Sequence, residues 1–169
     1  KQTKAGMALA KLCLETLLED GIKAVAAVKN KSMTQAVSNI IEANTFLSGV
    51  GAESGGLAAA HAIHNGMTAI KELHHLTHGE KVAFGTLTQM VMENRSEEEL
   101  YSRIDFCKRI GLPTNFEELG IPDVTKEELM KVAELANDEN DTMGNMPLDV
   151  KEEDVVGAMF AVNELSKSI

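Results

Sequence analysis

Apolar residues recur three and four positions apart along most of this chain, and no stretch alternates apolar and polar as a half-buried strand does. That single periodicity predicts an all-α protein. Leu9, Leu12, Cys13 and Leu17 mark a first helix with Gly21 as its C-terminal stop, and a short second helix runs from about Ile22 to Asn30. Val37, Ile40, Ile41 and Leu47 mark a third, starting near Thr34, before Gly49, Gly51, Gly55 and Gly56 break the pattern. A helix rich in small residues covers 57–64, a linker covers 71–77, and a further helix starts around His78 with Val82, Leu87, Met90 and Val91. In the second half, Ser96 precedes Glu99, Thr114 precedes Glu117 and Thr125 precedes Glu128, each at the spacing of a capping box. Leu100, Ile104 and Cys107 form one face, Leu129, Val132 and Ala136 another, and a last helix from about Lys151 has Val155, Val156, Met159 and Phe160. The expectation is one multi-helix, bundle-like domain over residues 1–169.

Charge narrows the function classes. Lys and Arg number 16 against 26 Asp and Glu, a formal charge of −10. Nucleic acids and anionic membranes both select a basic footprint, so neither is an expected partner. No apolar run is long enough to span a membrane, and nothing resembles a signal peptide. The two cysteines, Cys13 and Cys107, form no CxxC pair, which fits a reducing cytoplasm and excludes a cysteine-based zinc finger. The chain has no initiator Met and follows a helical pattern almost from its first residues, from Lys4 on, so it reads as a piece of a longer protein.

The strongest chemical signal is a cluster of histidines. All five, His61, His64, His74, His75 and His78, fall within 18 residues. On a helix, His61 and His64 share a face, and the alanines around them leave room for a close neighbour. His78 sits at a helix start, where the positive end of the helix dipole disfavours imidazolium and keeps the ring available as a neutral ligand. A helical hairpin bringing His61 to His78 supplies two metal ligands. A catalytic zinc uses three protein ligands, so the pair is an incomplete site. HxxH alone is a weak signal, and the HExxH of metalloproteases is absent. His74 and His75 read as surface residues, Lys81 as a solvated charge, Glu53 and Ser54 as helix-start residues, and the nine methionines as core filler.

Two blocks are distinctive: Gly51-Ala52-Glu53-Ser54-Gly55-Gly56-Leu57-Ala58-Ala59-Ala60-His61-Ala62-Ile63-His64-Asn65-Gly66-Met67-Thr68, and His74-His75-Leu76-Thr77-His78-Gly79-Glu80-Lys81-Val82-Ala83-Phe84-Gly85-Thr86-Leu87. They resemble the glycerol dehydrogenases, of the metal-dependent polyol dehydrogenase superfamily that also includes iron-type alcohol dehydrogenases. The similarity extends through residues 41–49, Gly111-Leu112-Pro113 and Asn145-Met146-Pro147, nearly the whole chain. The resemblance implies a two-domain subunit, of which this chain is the all-α C-terminal domain, with an N-terminal NAD-binding α/β domain as its missing partner. It implies a metal, zinc or alternatively iron, held by His61, His78 and an Asp upstream of the chain. It further implies oxidation of glycerol to dihydroxyacetone with zinc as Lewis acid and NAD as hydride acceptor, and assembly into homo-oligomers. His64 is then the candidate catalytic residue, orienting the polyol or relaying its proton, with a packing role as the alternative. Gly55 and Gly56 either permit close backbone approach at the cleft or simply turn the chain. Ala52 stands where many relatives have an aromatic bordering the substrate.

Without the Asp and the NAD phosphate loop, the chain alone is expected to show no turnover. The competing readings are a non-enzymatic helical metal-binding domain and a polyol or alcohol dehydrogenase of different substrate preference. A His/Asp-type helical hydrolase needs a histidine followed by Asp, which does not occur. Dehydroquinate synthase, of the same architecture, needs a more basic phosphate pocket.

Overall fold

A computed structural model describes residues 2–169, and among the described residues there are helices and turns but no β-strand. The chain divides into two compact units, Lys1–Gly56 and Leu57–Ile169. No helix among the described residues is long and apolar enough to cross a membrane.

In the first unit, α1 (Lys4–Lys29) packs on α2 (Gln35–Glu42) and α3 (Ser48–Gly55), the latter two joined by the wider π-helical turn Ala43–Leu47. The expected stop at Gly21 does not occur, because α1 runs through it. Gly21 is buried inside the helix, and its neighbour Asp20 bonds Lys23 at 2.6 Å and Asn39 Nδ2 at 2.7 Å. A mid-helix glycine costs about 1 kcal/mol of helix propensity, which a long, packed helix absorbs. The helix ends at Asn30 instead, with Lys31 left-handed (φ 53°), Lys31 N–H donating to Val28 and Ser32 N–H to Ala27.

Gly49 and Gly51 likewise do not break the helix. A Cβ on Gly51 would lie 3.3 Å from the Ala10 nitrogen, and one on Gly6 would lie 2.6 Å from the Ser54 carbonyl carbon. Glycine here permits two helices to touch through their backbones. The chain turns at Gly56 (φ 84°), so Glu53 and Ser54 end a helix and do not begin one. The core of this unit is modest, built on Cys13, Ala43 and Leu47 and on Ala24, Ala36 and Val37. Leu12 and Ile41, expected to face inward, are 49% and 48% exposed.

The second unit holds the larger core, with α4 (Ala59–Gly66), α5 (His78–Met92), α6 (Glu97–Ile110), α7 (Phe116–Leu119), α8 (Lys126–Ala136) and α9 (Glu152–Lys167). Phe84, Ile63, Leu73, Leu87, Ile104, Leu129, Val132 and Met159 are fully buried, and each apolar face read from periodicity in this half contributes to the core. The caps explain the boundaries. Thr125 and Glu128 close a reciprocal capping box, and Ser96 accepts from Glu99 N–H. Thr114 does not cap α7. Asn115 does, one residue later, because its side chain accepts from Glu118 N–H at 2.9 Å, while the Thr114 hydroxyl turns inward to Ser166 Oγ at 2.5 Å. Another box, Thr77 with Glu80, opens α5.

Candidate metal centre

Short helix α4 is held on both flanks through backbone contacts. A Cβ on Gly85 of α5 would sit 2.5 Å from the Ala60 carbonyl oxygen, and one on Gly66 would overlap the Val132 carbonyl of α8. Ala59, Ala62 and Ile63 fill the buried face. The Gln89 carboxamide of α5 accepts from Ala60 N–H at 3.0 Å, satisfying one of the unpaired donors of the first turn. With that face buried, the opposite face presents His61 and His64, both half-buried. His78 is the first residue of α5 and is exposed.

The three imidazoles converge. The rings of His61 and His78 are 5.3 Å apart between centroids, and those of His64 and His78 are 4.4 Å apart in an edge-on arrangement. His78 Nδ1 and His64 Nε2 pair at 3.2 Å. His74 and His75 stay outside the cluster, each ring engaged with a local backbone carbonyl, Thr68 and Glu72 respectively.

Burial disfavours charge on the two rings of α4. Burial pushes the His61 proton affinity down, and the neighbouring His78 and His64 push it further, against the opposing pull of Asp141. His64 is lowered chiefly by burial, with His78 and Lys81 adding to the effect and the Asn65 bond and Asp141 opposing it. Lys81 is thus not the solvated charge its sequence position suggests. It is 8% exposed, on α5, and its charge reaches His64.

Imidazoles facing one another are ligands suited to zinc or iron. They are an incomplete set: among the described residues no group of three or more His, Cys, Asp or Glu is arranged to hold a metal ion. The nearby carboxylate of Asp141 is already engaged, accepting from Asn65 Nδ2 at 2.9 Å and from Thr142 N–H at 2.6 Å. Burial raises its proton affinity, but those bonds and the Thr142 hydroxyl bring it below the ordinary carboxylate range. Sequence reading missed Asn65 and Asp141. Asn65 lies beside His64, but Asp141 is 76 residues further on, with no local pattern to link them.

Fold and sequence together place the chain in a class: it is an all-helical domain that aligns with the C-terminal domain of an oxidoreductase family. That family is the glycerol dehydrogenases, of which the chain is a homologue over the part that it spans. It is 46% identical over 167 residues to the glycerol dehydrogenase of Citrobacter freundii, matching 99% of this chain and 46% of that protein. It is equally 46% identical, over 169 residues, to a glycolaldehyde reductase of Halobacterium salinarum, matching 100% of this chain and 46% of that protein. A crystal structure of a probable glycerol dehydrogenase from Sinorhizobium meliloti superposes with a TM-score of 0.96 at 44% identity, covering 99% of this chain and 47% of that one. The chain therefore spans about half the length of the proteins that it matches. No protein-family model matches it.

Proposed function

We propose that the chain is the metal-holding part of an NAD-dependent glycerol dehydrogenase, oxidising glycerol to dihydroxyacetone, with His61 and His78 as two ligands of its zinc. What supports this reading above all is the meeting of two imidazoles from separate helices, 17 positions apart in sequence and 5.3 Å apart in space. Zinc, when bound, supplies a Lewis acid that makes a substrate hydroxyl easier to deprotonate. The chain's own residues do the rest of the work assigned to them. His61 and His78 present lone pairs from two helices locked together at Gly85 and Ala60. His64, one turn along from His61 and edge-on to His78, orients the polyol or relays its proton. The third ligand, a carboxylate, and the NAD site belong to an α/β domain that precedes this one in the subunit, in the cytoplasm. The chain by itself therefore holds zinc weakly and shows no turnover. A second reading, reduction of a small hydroxyaldehyde at the same metal site, is favoured by the equal identity to the Halobacterium relative.

The test is titration of the chain with cobalt(II), whose visible absorption reports imidazole coordination. Binding should be weak and lost in His61→Ala and in His78→Ala, and unchanged in His74→Ala. Equal loss in all three variants, or in none, rejects the ligand assignment. Extending the chain upstream by a nucleotide-binding domain should bring glycerol-dependent NAD reduction. Glycolaldehyde-dependent NADH oxidation without the glycerol reaction would select the second reading.

A further inference from the structure

We infer that Asn65, anchored on the Asp141 carboxylate, sets the tautomers of His64 and His78 and so leaves Nε2 of His78 as its open lone pair. The argument runs through four side chains whose donor and acceptor roles are chemically constrained. An ionised carboxylate only accepts, so the Asn65 atom 2.9 Å from Asp141 Oδ2 is the amide nitrogen. The Asn65 carbonyl oxygen is thereby turned toward His64 Nδ1, at 2.9 Å. A carbonyl oxygen only accepts, so His64 Nδ1 bears the hydrogen, and Nε2 of the neutral ring is bare. That bare nitrogen lies 3.2 Å from His78 Nδ1, which must then donate. His78 Nε2 is left without a hydrogen.

The chain has one direction because one end is a carboxylate that cannot turn round. Asp141 is itself fixed, capping the short 3₁₀ turn Thr142–Asn145 by accepting from Thr142 N–H. Asn65 continues the helix that holds His61 and His64, and Thr68 Oγ1 donates to its backbone carbonyl at 2.7 Å. Asn65 touches neither a substrate nor a metal in this scheme. It is a positioning residue acting through His64, in the way that outer partners of ligating histidines fix tautomer and ring orientation. The inference rests on the proposed function only in giving His78 Nε2 something to bind. The tautomers themselves are a property of the metal-free chain.

Histidine labelled with ¹⁵N, in the metal-free 169-residue chain at pH 9, above the ordinary imidazole range, tests this directly. Long-range ¹H–¹⁵N correlation spectra distinguish a protonated from a bare ring nitrogen. The expected wild-type result is a proton on Nδ1 and a bare Nε2 in both His64 and His78. Asn65→Leu removes the carbonyl acceptor, so the His64 proton should move to Nε2 and the bare nitrogen of His78 should become Nδ1. Asp141→Asn, nearly isosteric, lets the Asn65 amide turn either way and should give mixed tautomers at His64. Far-UV circular dichroism of both variants confirms that the helices remain. A wild-type His64 protonated at Nε2, or tautomers unchanged in both folded variants, overturns the inference. In parallel, Asn65→Leu should weaken cobalt(II) binding about 10- to 100-fold. Wild-type tautomers as expected without any cobalt(II) binding would sink the metal reading and leave the tautomer assignment standing.

Discussion

Replacing Gly85 by alanine tests how α4 and α5 are joined. The added Cβ would stand 2.5 Å from the Ala60 carbonyl oxygen and 3.2 Å from its carbonyl carbon and Cα. All three atoms are backbone, so no side chain can swing aside, and the two helices must separate by roughly 1 Å to restore ordinary contact. Such overpacking costs about 1–3 kcal/mol, and a rigid neighbour on both sides argues for the upper end. Alanine also gains about 1 kcal/mol of helix propensity over glycine. The net expectation is destabilisation of about 2 kcal/mol. Gly157→Ala is the matched control, since Gly157 lies inside α9 with nothing within 4 Å of its added Cβ. There only the propensity gain remains, and stability should rise by about 0.5–1 kcal/mol. The assay is urea unfolding followed by tyrosine fluorescence. The chain has no Trp and one Tyr, Tyr101 in α6, so the signal reports the second unit. With a urea dependence of about 1–3 kcal/mol per M, the two variants should move the midpoint in opposite directions, Gly85→Ala by roughly 1 M downward. A Gly85→Ala midpoint at or above wild type would refute the backbone contact, and with it the rigid spacing ascribed to the histidines.

Two further predictions follow from burial in the second unit. Burial pushes the Cys107 thiol up to about 11, only partly opposed by Arg103. In a Cys13→Ala background its alkylation at pH 8 should be about 100-fold slower than in urea and should climb about tenfold per pH unit without levelling near 9. Because the folded value is raised, the stability linked to this group is complete below the unfolded value and is lost as pH rises through about 11. Asn163, buried on α9, accepts from Phe116 N–H at 2.9 Å. Asn163→Leu should cost about 1–3 kcal/mol in the same urea assay by stranding that donor, and an unchanged midpoint would show that the donor finds another partner.

The second unit was far more legible in the sequence than the first. Ser96, Thr125 and the apolar faces behind them marked real helices, because cap chemistry and amphipathic periodicity are local and the fold there agrees with both. The first unit defied the same rules at its glycines. Gly21, Gly49 and Gly51 have the composition of stops, yet the helices run through them: Gly21 is buried and Gly51 lies backbone on backbone against Ala10, which no local pattern announces, while Gly49 faces open space. The histidines followed the same division. The shared face of His61 and His64 and the helix start at His78 were readable from spacing, whereas their closing to one cluster depends on the pairing of α4 with α5. The Asp141 end of the hydrogen-bond chain was beyond reach, since it lies in a turn with no periodicity.

The grip on α4 also shapes how this region can change over time. With main-chain atoms pressed against both flanks, a side chain added at Gly66, or at Gly85 opposite Ala60, has no spare volume and is a structural lesion. The outward edge is held by side-chain hydrogen bonds of His64 and Asn65 instead. A change of chemistry in this region is therefore confined to side chains on that outer strip, over an inner face fixed by main-chain contact.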